Sequence, residues 1–118
     1  MNNVKIEVTD VINSNIAISV KTGKVLFEHI FPILEKHQGI VLDFKGVTDL
    51  TTAFLNYAIG KLYQSFSSDE LNNLITFENL SNLDSFLIQQ VIERVKLQQE
   101  NEEQLYNTLK ENIDGNCT

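Results

Sequence analysis

Val41-Leu42-Asp43-Phe44-Lys45-Gly46-Val47-Thr48-Asp49-Leu50-Thr51-Thr52-Ala53-Phe54 reads as a strand, a loop and the start of a helix in immediate succession. With Ile40 in front of it, the run to Phe44 is almost continuously apolar and of strand length, the pattern of a central strand covered on both faces. Lys45-Gly46 ends the run, and the paired threonines Thr51 and Thr52 are N-cap residues for a helix from Ala53 to Phe66. On a helical projection Phe54, Leu55, Ala58, Ile59 and Leu62 share one face, while Ala53, Tyr57, Gly60 and Gln64 share the opposite one. The first face belongs to a core. The second is short and smooth, with an interior glycine that costs about 1 kcal/mol relative to alanine, and a small residue beside a tyrosine suits the close approach of another helix.

Upstream, Val4-Lys5-Ile6-Glu7-Val8 and Ile16-Ala17-Ile18-Ser19-Val20 each alternate at period two, with turn-forming Asn13-Ser14-Asn15 between them. This predicts a hairpin. Thr22 to His37 carries Val25, Leu26, Ile30, Ile33 and Leu34 at helical spacing, with Pro32 predicting a kink or two short helices and Gly39 the stop. Downstream, Ser67-Ser68-Asp69-Glu70-Leu71 is a capped helical turn and Leu74-Ile75-Thr76-Phe77 a strand. A long helix comes next, capped by Ser81 or Asp84, with Leu83, Leu87, Ile88, Val91, Ile92 and Val95 as its apolar stripe toward the sheet. The order is β-β-α-β-α-β-α, an α/β sandwich of helices against a small mixed sheet. Residues 1–97 form the domain, and residues 98–118 an acidic helical extension in which Leu105, Leu109 and Ile113 pack on the domain or pair with a second copy.

Composition narrows the function classes. The chain has 118 residues, 9 basic and 16 acidic side chains and a net charge of −7. With Arg94 as its one arginine, it lacks the clustered cations that phosphate neutralisation on nucleic acid or an anionic membrane surface needs. One cysteine, Cys117, supports neither a disulfide framework nor a thiolate metal site. The N-terminus carries no basic leader and no apolar run has membrane-spanning length, which predicts a cytoplasmic protein.

Catalytic signals are thin. His29 and His37 are eight positions apart with no metal-ligand spacing, and the glycine patterns of nucleotide-binding loops and the nucleophile elbow are missing. Asp43 is a general base if desolvated, or a buried aspartate satisfied by a loop amide, and the second reading is the favoured one. These features point away from an enzyme, and no cofactor or metal is expected. The chemistry that remains lies at the loop–helix junction, where free N–H groups of the first helical turn can hold a hydroxyl, a phosphate or a partner's carboxylate.

The segment Val41 to Phe54 resembles the strand–loop–helix core of STAS domains, the fold of bacterial anti-sigma factor antagonists. Ala53-Phe54-Leu55-Asn56-Tyr57-Ala58-Ile59-Gly60-Lys61-Leu62-Tyr63 is similar to the signature of a STAS-like family whose function is not established. The resemblance runs from Val4 to Leu97 and is strongest over residues 40–95. It implies a non-enzymatic regulatory protein that acts by protein–protein contact, with a histidine-kinase-like ATPase as partner. In the antagonists a motif serine is phosphorylated by that partner, and the aligned position here is Ala53, which cannot carry a phosphate. Thr51 or Thr52 then takes its place, or binding is constitutive. The partner surface implied is Thr48, Asp49, Ala53, Tyr57, Gly60 and Gln64. Because some STAS domains bind nucleotides, a small-ligand sensing module is the alternative.

Overall fold

The computed structural model describes residues 3–116, with side chains described through residue 99. Strands β1 (Val4–Glu7), β3 (Ile40–Asp43) and β5 (Ile75–Glu78) form a parallel sheet in the order β1-β3-β5. A second parallel pair joins β2 (Ile16–Ala17) to β4 (Asp49–Leu50). Five α-helices complete the chain: α1 (Val8–Ile12), α2 (Val20–Glu35), α3 (Thr52–Ala58), α4 (Ser68–Leu74) and α5 (Asn82–Asn116), with a 3-10 helix over Gly60–Gln64.

The α/β class stands, whereas the expected mixed sheet and the β-β opening of the β-β-α-β-α-β-α order do not. No hairpin joins β1 to β2. Val8 and Ile12, one helical turn apart, are both buried, so the chain leaves β1 as a short helix. Asn13 ends it in the left-handed conformation at φ 55°. The polar Asn-Ser-Asn segment does turn the chain, and the Ser14 hydroxyl accepts the Ile16 N–H at 3.0 Å. From there β2 runs parallel to β4. Period-two alternation specifies a strand and leaves its partner and direction open.

The helix across Pro32 is single. Ser19 caps α2 by accepting the Thr22 N–H at 3.1 Å, and Leu26, Ile30 and Leu34 are fully buried. Pro32 withdraws the hydrogen bond that the Glu28 carbonyl would receive, but both residues lie on the exposed face, where that carbonyl is open to solvent. His37, at φ 59°, supplies the left-handed turn after α2, two residues before Gly39. Ser67 and Glu70 form a reciprocal capping box at α4, and Ser81 rather than Asp84 caps α5, accepting the Asp84 N–H at 3.0 Å. Along α5, Ile88 and Val91 are buried while Leu83 is 66% exposed. The helix continues unbroken through the polar run after Leu97. The side chains of Leu105, Leu109 and Ile113, and Cys117 altogether, lie outside the described residues.

β3 is the middle strand, as its apolar run requires. Ile40, Leu42 and Phe44 enter a core shared with Leu26 and Ile30 of α2, Phe54 and Leu55 of α3, and Ile88 and Val91 of α5. On the alternate face Asp43 is 2% exposed. Its Oδ1 accepts the Asn79 side-chain amide at 2.7 Å and the Lys45 N–H at 2.9 Å, and its Oδ2 lies 3.3 Å from Lys5 Nζ. Glu7, Asp43 and Glu78 are register partners at the ends of the three strands, and Lys5 also approaches Glu78 at 3.9 Å.

The two helices flanking β3 in sequence approach closely at Gly23. A Cβ on Gly23 of α2 would lie 2.6 Å from the Phe54 carbonyl oxygen and 3.2 Å from Tyr57 Cβ. Gly23→Ala should therefore lower stability. Overpacking against backbone costs about 1–3 kcal/mol, which exceeds the gain of at most about 1 kcal/mol in helix propensity. Urea unfolding of the variant measures the net loss.

Asp43 also sets a pH dependence. The Asn79 amide, the Lys45 N–H and Lys5 hold its carboxyl below the ordinary 3.8, so its contribution to stability is complete above that value and lost as pH falls through the depressed one. Asp43 in turn raises Lys5 above 10.5, a contribution complete below 10.5 and lost as pH rises through the raised value. Glu7 shifts the opposite way from Asp43, pushed up by Asp10 beside it. In denaturant midpoints measured against pH, the difference between wild type and Asp43→Asn should be flat at neutral pH. It should shrink on the acid side of about 3.8 and on the alkaline side of about 10.5.

Candidate functional site

The junction between β4 and α3 is built on Thr51. Its N–H donates to the Ala17 carbonyl at 3.2 Å and its hydroxyl donates to the Ile18 carbonyl at 2.7 Å. The same oxygen caps α3 by accepting the Phe54 N–H at 3.4 Å. Thr48 extends the connection, giving both its N–H (2.9 Å) and its hydroxyl (3.3 Å) to the Asn15 carbonyl. Thr52, the first residue of α3, is half-buried, and its hydroxyl has no hydrogen-bond partner among the described residues. Asp49 and Ala53 are exposed. The two threonines that the sequence offers as alternatives thus have different surroundings: Thr51 is committed to structure and Thr52 is free.

Three residues beside this junction depart from the sequence pattern. The alternation Ile16-Ala17-Ile18-Ser19-Val20 predicts a strand with its large residues inward, yet Ala17 is fully buried while Ile16, Ile18 and Val20 are 46%, 47% and 52% exposed. The core admits the methyl group and turns the branched side chains outward. Ile16 pairs with Asp49 in the β2–β4 register and Ile18 receives the Thr51 hydroxyl, so this apolar strip adjoins the loop from Thr48 to Ala53. The local signal is the alanine at the strand centre, the one apolar residue of the strip with too little surface to drive burial.

The far end of the expected contact stripe is assembled differently. α3 stops at Ala58 and the chain tightens into the 3-10 helix, so a uniform helical projection does not carry from Ala53 to Gln64. Phe54, Leu55, Ala58, Ile59 and Leu62 are buried, in keeping with the core face. Tyr57 is half-buried, its ring edge-on to Phe27 with centroids 5.8 Å apart, and Lys61 Nζ stands 4.7 Å over it. Gly60 is covered by α5, where a Cβ would sit 3.2 Å from Val95 Cγ2 and 3.7 Å from Val91 Cγ1. The Gln99 side-chain amide donates to the Tyr63 carbonyl from the same helix, and burial raises the Tyr63 phenol above its usual pKa. Of the stripe, Ala53 and Gln64 face solvent. A cavity of about 310 Å³ lies between the 3-10 helix and α5, with Gln64 at its side.

Nothing at these positions assembles a nucleophile and a base. Asp43 gives both carboxylate oxygens to structural donors, the loop-amide reading of this residue. His29 is exposed and His37 makes the turn after α2. Among the described residues no group of three or more His, Cys, Asp or Glu side chains is placed to hold a metal ion. No helix among them is long and apolar enough to cross a membrane.

The family described as a STAS-like domain of unknown function matches residues 22–85, more than half of the chain. The chain belongs to this STAS-like family. No curated protein and no solved structure matches it. The match takes in β3, β4, α3 and β5, so the Thr48–Ala53 junction lies within the STAS-like segment while β2 and the exposed Ile16 and Ile18 precede it.

The unequal roles of the two threonines are measurable in this STAS-like domain. Thr51→Ala removes a helix cap and the bond to the Ile18 carbonyl, and should cost about 1–2 kcal/mol. Thr52→Ala should stay within about 0.5 kcal/mol of wild type. Chemical denaturation of the two variants side by side decides it.

Proposed function

We propose that this STAS-like domain is a non-enzymatic regulatory protein that works by binding another protein through the face formed by Ile16, Ile18 and Val20 with Thr48, Asp49, Thr52 and Ala53. The observation that carries the reading is the apolar strip, three branched side chains about half exposed next to a loop rich in hydroxyl groups. A water-facing surface gains nothing by holding such residues outside while burying the alanine between them. A partner that covers them gains their transfer from water, roughly 25 cal/mol per Å² of apolar area.

The partner proposed is a protein with a histidine-kinase-like ATPase domain, on the analogy of the anti-sigma factor antagonists. Thr52 is the phosphoacceptor that fits best, because its hydroxyl is unengaged whereas that of Thr51 is held between two backbone groups. Phosphate there would bring about −1.5 to −2 charges to the edge of an apolar contact. It would repel a partner without disturbing the cap. Exposed Asp49 already contributes one negative charge to this face, so the unmodified surface is apolar with little charge and the modified one is strongly anionic. The proposed setting is the cytoplasm.

The test is capture from a lysate of the native organism in the presence of ATP, using four baits: wild type, Ile16→Ser with Ile18→Ser, Thr52→Glu and Thr52→Ala. Mass spectrometry should find an ATPase-domain protein on the wild-type and Thr52→Ala baits and lose it from the other two. Retention of the same proteins by the isoleucine double variant would overturn this face as the contact. Thermal unfolding of each bait separates lost binding from lost folding.

A further inference from the structure

The cavity between the 3-10 helix and α5 collects Asn56, Lys61, Gln64, Arg94, Gln98 and Gln99 around an opening of about 310 Å³, within the lower range of small-ligand sites. Two cations and four carboxamides line it, and among the described residues no carboxylate does. That is a pronounced local bias in a chain with 16 acidic and 9 basic side chains. It includes the one arginine.

Neither cation has a carboxylate partner among the described residues. At three and four positions from Arg94 stand Gln90, Val91, Leu97 and Gln98, and at the same spacings from Lys61 stand Tyr57, Ala58, Gln64 and Ser65. No intrahelical acidic partner is available to either. The ion pairs found among the described residues are those of Lys5, remote in sequence from this groove. Lys61 is steadied over the Tyr57 ring, and a cation–π contact leaves the ammonium donors free to point outward. Gln99 is fixed by donating to the Tyr63 carbonyl. Gly60 and Val95 form the floor, so the cavity owes its depth to the close seating of α5 on a residue without a side chain.

We infer that this groove is a binding site for a small organic anion, a carboxylate or a phosphate. Arg94 supplies the planar fork that pairs with either group bidentately, Lys61 supplies a second positive charge, and the amides of Asn56, Gln64 and Gln98 hydrogen-bond the remaining polar atoms of the ligand. The groove shares no lining residue with the Ile16–Ile18 face. It gives the ligand-sensing alternative a location.

The test is a titration of the full-length ¹⁵N-labelled protein with glutarate, with inorganic phosphate and with the neutral analogue glutaramide, at fixed ionic strength across the millimolar range. Glutarate, phosphate or both should produce saturable shifts in the side-chain amide signals of Asn56, Gln64 and Gln98, and glutaramide should not. Arg94→Gln should weaken the response by roughly tenfold or more, the loss of a charge-assisted pair. Its unfolding temperature without ligand should stay that of wild type, since Arg94 is exposed. Which of the two anions saturates identifies the class. No saturable shift with either anion, or shifts that Arg94→Gln leaves unchanged, would overturn the inference.

Discussion

A carboxylate at the end of the middle strand organises the sheet. Asp43 would be expensive to bury alone, and the structure meets the cost with an N–H from the loop after β3, an amide from the residue after β5 and an ammonium from β1. Each donor comes from a different segment, so the three parallel strands are tied at the same end and their register is set there as well as by side-chain packing. Everything downstream inherits that alignment. The loop from Phe44 leaves the sheet at a fixed angle, β4 meets β2, and Thr51 arrives where it can hold the Ile18 carbonyl and begin α3. A salt bridge standing alone would be a weak reason for a fold. This one is part of a fully satisfied polar node, and no buried side-chain nitrogen or oxygen among the described residues is left without a partner.

Around that frame, small residues decide where helices may touch. Gly23 lets α2 reach the backbone of α3, and Gly60 lets α5 reach the 3-10 helix. The two contacts bury much of the α3 to 3-10 segment and leave Ala53, Asn56, Lys61 and Gln64 exposed along it. Tyr57, which has the chemistry of an interface residue, spends its ring on Phe27 and Lys61 within the chain. Two places stay open: the junction at Thr52 and Ala53, and the groove lined by Asn56, Lys61 and Gln64.

How much of this is legible in the sequence depends on whether the deciding contact is local. The central strand, the buried face from Phe54 to Leu62 and the capped turn at Ser67 are written in residues a few positions apart and can be read directly, whereas the sequence leaves two candidates for each of the other caps, Thr51 or Thr52 at α3 and Ser81 or Asp84 at α5. The satisfied state of Asp43 follows from its burial, though the identity of Asn79 as donor, 36 positions away, does not. The first two strands mislead because alternation is common to parallel and antiparallel pairing, and because Ile16, Ile18 and Val20 break the rule that larger apolar residues go inside. The stripe from Ala53 to Gln64 is half legible. Its helical projection fails where the helix tightens after Ala58, and its glycine is explained by Val91 and Val95, more than thirty positions further on.

Thr51 and Thr52 look interchangeable as letters, yet one is a joint and the other an ornament. Because the hydroxyl of Thr51 ties the small sheet to the helix start, that position is closed to any residue that cannot both donate and accept a hydrogen bond. Its neighbour is under no such constraint. A lineage of such domains is therefore free to gain, lose or relocate a modifiable side chain at Thr52 and Ala53 in single mutational steps, without passing through an unfolded intermediate. The architecture leaves at Thr52 and Ala53 two side chains that folding does not need.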